Sequence, residues 1–279
     1  MTLVGLDPSS RPHSRGFVYT YIVPKRASTA HPPAEPSPAL RLLDLEGGLN
    51  ARDVGGYVCL DRRRLRWRTL LRSGRTDRLT PKGVSTLASM GVRSVIDLRH
   101  DHEADAYPSV LARAPGMRYA RIPLYFDHAL LRDSGGPNTL ADLYRDMLEN
   151  ARPGIADVMR ALSQPDAYPV LVHCTAGKDR TGLIIALVLG LLRVPESVIA
   201  DDYALSGEFL APHLDELRAM GRERGADPAK HERMLEARPD AMLHALKWLR
   251  HRYSDVEGYL RVIGITATEI GRIRESLLD

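Results

Sequence analysis

Residues 170–190 read VLVHCTAGKDRTGLIIALVLG, a short continuously apolar run, a polar loop and a second apolar run. The first run, led in by Pro169, has the composition of a strand at the centre of a parallel sheet covered on both faces. The second, whose apolar core is Leu183 to Leu192, is the longest such run in the chain and fits a buried helix, being well short of the ~20 residues a membrane span needs. A chain that passes from a buried strand into a buried helix through so short a loop is committed to a layered arrangement of strands and helices.

The flanking segments agree. RLRWRTLLRSG (64–74) alternates as a strand, and LTPKGVSTLASMG then places Thr80 as N-cap, Pro81 at the first helical position and Gly91 as the stop. VRSVIDLR (92–99) reads as a β-branched strand, and RYARIPL (118–124) as an edge strand closed by Pro123. TLADLYRDMLEN and GIADVMRALSQ carry apolar residues at helical spacing. The expected fold is α/β, a central and mainly parallel sheet flanked by helices. Beyond Pro195 the pattern is wholly helical, with capping-box spacings at Ser254/Glu257 and Thr266/Glu269.

Two segments stand apart. Residues 1–38, rich in Pro, Ala and Ser, read as a flexible leader, so that folding begins near Leu43 and the domain spans 39–279. Residues 207–250 are helical and charged, dotted with exposed-looking apolar residues such as Phe209, Leu210, Met220 and Met234. A lid over a site and a helical subdomain that only packs are equally compatible with that pattern.

Composition narrows the class. At 279 residues and 44% hydrophobic the chain can build one sizeable core. Cys59 and Cys174 form no metal-ligand or disulfide pattern, which suits a reducing compartment. A net charge of +4 carried mostly by arginine suits anionic ligands, while 6% aromatics without interleaved basic runs argues against nucleic acid. No apolar stretch near the N-terminus has the length of a signal peptide. The expected location is the cytoplasm, or outside the cell by leaderless export.

The loop carries the chemistry. A strand leading through it to a helix N-terminus points backbone amides, and the positive end of the helix dipole, at a bound anion. Gly177 allows close backbone approach, and Arg180, separated from Cys174 by five residues, offers two donors to phosphate oxygens. In that field Cys174 is expected to act as a thiolate nucleophile at phosphorus. Thr181 is placed to hydrogen-bond the departing sulfur, and His173 to orient the loop. A nucleotide-binding loop is excluded, because Asp179 follows Lys178 where Ser or Thr is required and Val172 stands where a first glycine is needed.

HCTAGKDRTG matches the pattern His-Cys-x5-Arg-Ser/Thr-Gly and resembles the protein-tyrosine phosphatase superfamily. LNARDVGGY (49–57), LLRSGRTDRLTPKG (70–83), VIDLRHDHEADAYP (95–108) and GYLRVIGITATEIGRIRESLL resemble, in order, the bacterial tyrosine and lipid phosphatase family typified by mycobacterial protein-tyrosine phosphatase B. The resemblance covers about 43–279. It implies a parallel-sheet core with a helical lid, activity on phosphotyrosine, phosphoserine or phosphothreonine and on phosphoinositides, and no metal or other cofactor. It maps the nucleophile onto Cys174, the phosphate-gripping arginine onto Arg180, and the loop lysine and aspartate onto Lys178 and Asp179. Thr175, Ala176 and Gly177 complete the phosphate-binding loop.

Other assignments stay open at this stage. No Trp-Pro-Asp tripeptide supplies the acid for the leaving oxygen; Asp179 is the first candidate, with Asp97 and Asp127 behind it. Asp97 faces either the substrate or Arg180. Arg75, Tyr125 and Lys178 are candidate substrate contacts, and Cys59 a candidate disulfide partner for Cys174. In NARDVGGY the simplest reading is a turn, with Gly55 and Gly56 at positive φ and Asp53 capping it or pairing with an arginine. The expected partners are phosphoprotein or phosphoinositide substrates, with transient contact at a membrane surface. Two rivals remain: a phosphate-binding module without catalysis, and a redox-regulatory thiol protein.

Overall fold

Strand β5 (Val170–His173) lies at the centre of a five-stranded sheet, paired in parallel with β2 (Leu70–Ser73) on one side and β3 (Ser94–Asp97) on the other. The edges are β1 (Arg52–Asp53), antiparallel to β2, and β4 (Arg118–Arg121), parallel to β3, giving the order β1-β2-β5-β3-β4. The computed structural model describes residues 38–124 and 139–279, all within one unit, Glu35–Asp279. The expected leader, Tyr125 and Asp127 lie outside the described residues.

Alternation along the strands explains why the central ones are apolar throughout. Leu70, Ile96, Val170 and Val172 face the larger core, whereas Leu71, Val95 and Leu171 face a smaller one that includes Leu87 and Leu111. The smaller face is covered by α2 (Pro81–Ser89), whose Thr80 cap accepts from the Gly83 amide and whose run ends before Gly91 at φ +76°. The larger face receives α4 (Leu140–Asn150), α5 (Arg152–Leu162), α6 (Asp179–Leu191), α7 (Glu196–Leu210) and α10 (Pro239–Tyr253). Helix α6 is buried nearly all round, as its uninterrupted apolar run requires.

Three local expectations are corrected. The strand anticipated over 64–74 is confined to Leu70–Ser73, because Arg68 adopts φ +56° and the preceding residues turn. The cap of α11 (Val256–Val262) is Asp255, which accepts from the Gly258 amide, while Ser254 sits at φ +71° outside the helix. Thr266 and Glu269 do form the capping box of α12 (Ala267–Leu277). Finally, the apolar residues of 207–250 are less exposed than they read: Leu210, Met220 and Met234 are buried.

Within 207–250 two structures meet. Helices α8 (Leu214–Glu223) and α9 (Pro228–Leu235) carry a small cluster, Leu210, Leu217 and Met220 against Leu49, Tyr107, Ala176 and Leu235. Helix α10 instead packs on α4 and α7 and contributes Met242, Leu246 and Leu249 to the principal core. Among the described residues no helix is long and apolar enough to cross a membrane.

Candidate functional site

The register of the three parallel strands aligns Ser73, His173 and Asp97, so the loops that follow them share one edge of the sheet. That carboxyl edge is where ligands bind in open α/β sheets. Loop 174–178 leaves β5 there and enters α6, bringing Cys174, Thr175, Ala176, Lys178, Asp179 and Arg180 to a single cavity. Gly177, at φ +69°, is required: a Cβ would lie 2.5 Å from the Ser73 and Gly74 backbone. No larger residue fits.

Arg180 is held by a residue that the sequence reading did not single out. Its Nη1 and Nη2 donate to Glu103 Oε2 and Oε1 at 2.6 and 2.8 Å, and Nη2 reaches Thr175 Oγ1 at 3.3 Å. Thr175 donates to the same Glu103 at 2.7 Å. Burial works against the guanidinium charge, but the Glu103 hydrogen bonds and charge outweigh it and hold Arg180 protonated above its ordinary range. Glu103 also accepts from the His100 amide at 3.1 Å, capping α3 (Asp101–Ala106). That capping spacing, just after β3 at the carboxyl edge, is the signal by which it was findable.

Asp97 does not reach the cavity and does not hold Arg180, which corrects both readings of it. It is fully buried and receives the Arg99 guanidinium at 2.7 to 3.1 Å, the Arg99 amide at 3.0 Å and the Tyr119 hydroxyl. Burial opposes its charge, yet His173, Arg99 and Tyr119 bring it below the ordinary carboxylate value. His173 Nδ1 lies 3.3 Å from the Cys174 carbonyl, as expected of a residue orienting the loop, with Nε2 3.8 Å from Asp97. Burial lowers the affinity of this imidazole for a proton, against the pull of Asp97.

Asp179, the first helical residue of α6, is part-exposed and aimed at the cavity. Its Oδ1 accepts from the Tyr144 hydroxyl at 2.8 Å and from Lys178 Nζ at 3.1 Å, and Tyr144 lies 2.5 Å from the Tyr203 hydroxyl. Burial pushes both phenols up, so both remain protonated donors. Lys178 is placed otherwise than expected of a substrate contact. It is 2% exposed and donates to the carbonyls of Met234 and Glu236 at 2.5 and 2.8 Å, tying the loop to α9. Burial opposes its charge, but Asp179 and Tyr203 maintain it.

The other candidates sort by geometry. Thr181 Oγ1 is buried without a hydrogen-bond partner, so its expected bond to the sulfur is not formed in this state. Arg75 lies 4.2 Å over the Tyr107 ring and pairs with Asp77 at 3.2 Å and Glu216 at 2.8 Å, so it grips α8. Arg224, at the end of α8, was not foreseen; it lines the cavity 4.0 Å from Glu103. Leu60, next to Cys59, hydrogen-bonds Arg193 beyond the far end of α6, whose length at 1.5 Å per residue puts about 20 Å between the two cysteines. A disulfide between them is excluded, and neither cysteine forms one.

In NARDVGGY the turn reading holds for one half. Asp53 accepts from the Gly55 and Arg68 amides at 2.7 Å each, and Gly56 adopts φ +82°, whereas Gly55 serves by admitting the Trp67 backbone.

Comparison with known proteins places these features in company. A family model described as the tyrosine phosphatase family matches residues 43–279. A tyrosine-protein phosphatase of Nostoc commune is 33% identical over 218 residues, 74% of this chain and 73% of its own. The triple specificity protein phosphatase PtpB of Mycobacterium tuberculosis is 27% identical over 287 residues, 84% of this chain and 98% of its own. Among solved structures, TpbA of P. aeruginosa matches at 19% identity with a TM-score of 0.34, covering 71% of this chain and 88% of its own.

Proposed function

This chain belongs to the tyrosine phosphatase family, and from that premise we propose that it hydrolyses phosphotyrosine through a phosphocysteine intermediate, taking phosphoserine, phosphothreonine and phosphoinositide monoesters as further substrates. The observation that carries the proposal is the convergence of Cys174, Asp179 and the Glu103-anchored Arg180 on one cavity at the mouth of α6.

In the first step the Cys174 thiolate attacks phosphorus in line, forming the S–P bond as the ester P–O bond breaks. Asp179 gives its proton to the departing oxygen. Negative charge gathers on the equatorial oxygens, where the amides of 175–178, the N-terminus of α6 and Arg180 stabilise it. Water then attacks phosphorus, Asp179 takes up its proton, and the thiolate leaves with Thr181 as hydrogen-bond donor. Tyr144 aims the Asp179 carboxyl throughout.

The cover matters for substrate choice. The cavity measures about 90 Å³, room for a few waters or one phosphate at ~10–15 Å³ per water. An aryl phosphate on a peptide is larger, so α8 and α9 act as a lid that shifts to admit it. Their apolar lining, Leu217, Met220, Met234 and Leu235, suits an aromatic ring. Arg224 adds a cation suited to a polyphosphorylated head group, which supports the lipid activity and a passing contact with the membrane surface.

The test is hydrolysis of para-nitrophenyl phosphate, phosphopeptides and phosphoinositides in EDTA. Wild-type protein should turn over and Cys174→Ser should be inactive while still binding phosphate. An active Cys174→Ser protein would overturn the intermediate, and an inactive wild type would leave the phosphate-binding module in its place.

A further inference from the structure

Beneath loop 174–178, on the side away from the cavity, lies a buried polar cluster that the proposed chemistry does not use. Arg52 and Arg72 are fully buried and share Asp202 of α7, Arg52 Nε at 3.3 Å from Oδ1 and Arg72 Nη1 at 2.6 Å from Oδ2. Arg52 also donates to the Asp202 carbonyl at 2.8 Å, to Ser206 Oγ at 3.1 Å and to the Asn50 side chain, and Tyr57 donates to Asp202 at 3.1 Å. Arg72 Nε is buried without a hydrogen-bond partner among the described residues, and two further donors of the cluster end on the loop. Asn50 Nδ2 donates to the Ala176 carbonyl at 3.0 Å, and Arg72 Nη2 to the Gly177 carbonyl at 2.7 Å.

A trans peptide points its C=O and its N–H in opposite directions. Pinning the Ala176 carbonyl therefore sets the Gly177 N–H, and pinning the Gly177 carbonyl sets the Lys178 N–H. Among the described residues none of the amides of 175–178 has a hydrogen-bond acceptor, although Thr175 and Lys178 are buried. Orphan donors of this kind are costly unless a ligand receives them.

We propose that Asn50 and Arg72 are positioning residues for phosphoryl transfer: by holding the Ala176 and Gly177 carbonyls they turn the Gly177 and Lys178 N–H groups onto the equatorial phosphate oxygens. The cluster is built for constancy. Asp202 fixes Arg72 at Nη1 and is itself held by Arg52 and Tyr57. Two guanidinium groups against one carboxylate leave a net positive charge under the loop, and each peptide is polarised through its carbonyl in the sense that strengthens its N–H as a donor. The strand β2 and the segment before β1 thus take part in the reaction without touching substrate.

This inference rests on the phosphatase reading above, and its test is separable from it. Asn50 stands at φ +51°, where glycine keeps the backbone, so Asn50→Gly removes the amide donor with little strain. Arg72→Lys keeps the charge but cannot bridge Asp202 and Gly177 with the same fork. Each variant is assayed for kcat, KM, inhibition by orthovanadate, which adopts the five-coordinate geometry of the transition state, and inhibition by inorganic phosphate, which does not. Thermal unfolding is recorded in parallel.

The expected result is a fall in kcat of about tenfold or more, short of the ~10²–10³ lost when an oxyanion donor is deleted outright. Vanadate inhibition should weaken by a similar factor and phosphate inhibition by much less, because the contact is made to the transition state. Unchanged kcat and vanadate inhibition in Asn50→Gly would overturn the proposal. So would vanadate and phosphate inhibition weakening equally, or a loss of rate that only follows the folded fraction. An active wild type with an inactive Cys174→Ser keeps the parent reading standing in each of those cases.

Discussion

The loop at 174–180 and the helices above it are held to the protein by forces of different kinds. Below, Arg180 meets Glu103 and Arg72 meets Asp202 with every partner at most 4% exposed. Above, α8 is fastened by Glu216, itself 30% exposed, to Arg75 and Arg78, and α8 is joined to α9 through the exposed pair Arg218–Glu232. Breaking a buried, hydrogen-bonded pair costs about 3–5 kcal/mol, whereas an exposed pair is worth about 0–1. The floor is thus held where water is excluded, while the cover is fastened partly by exposed pairs and partly by the buried Arg75 and Lys178. In the lid motion proposed above, the exposed pairs are the ones that give when the cover shifts. Elements with few buried apolar contacts are also the ones that open locally.

The largest test of that contrast is Glu103→Gln. Loss of the carboxylate leaves Arg180 buried and half-partnered, so urea unfolding should show about 3–5 kcal/mol of lost stability, with kcat/KM falling as Arg180 turns from the phosphate. A variant as stable and active as wild type would mean that the floor is no more rigid than the cover. Next is Asp179→Asn, which should cost about 10²–10⁴ in rate on alkyl phosphates and far less on esters with good leaving groups. Equal losses on both would make Asp179 part of the scaffold.

A smaller effect appears in the pH dependence of stability. Burial lowers the folded-state pKa of His173 below its ordinary 6.5, so the unfolded chain binds a proton that the folded chain refuses. Stability is therefore full above about pH 6.5 and declines as pH falls below it. Asp97, depressed below 3.8, adds a further loss only as pH falls under that value. His173→Gln should flatten the first limb in acid-unfolding curves; an unaltered limb would assign it to another group. The smallest change in stability belongs to Glu216→Ala, under about 1 kcal/mol. The same variant should raise peroxide inactivation of Cys174 several-fold, and unchanged sensitivity would show that α8 does not shield the thiol.

Local features of this fold are legible in the chain and distant partnerships are not. The cap at Thr80, the stop at Gly91 and the apolar β5 each follow from neighbouring residues, as do the loop and its Cys174 and Arg180. Ser254 misleads because Asp255 beside it offers an equally good cap, and only the φ of +71° at Ser254 decides between them. Glu103, Asp202 and Tyr144 lie 77, 130 and 35 residues from the groups they hold. No periodicity connects such pairs, and the sheet register alone brings them together. Lys178 shows the converse: its place in the motif is plain, but its carbonyl partners on α9 depend on how a remote segment folds back.

Gly177 rests so closely on the Ser73 and Gly74 backbone that it has no room for a side chain, and a Cβ on Gly74 would in turn lie 3.0 Å from the Thr175 carbonyl oxygen of the same loop. The motif is in this sense one half of a lock whose other half is written a hundred residues earlier. Transplanting 173–182 into another strand–helix scaffold would carry over the reactive groups without the bed that shapes them. A working transfer has to move both segments, and sequence drift at either is answerable to the other.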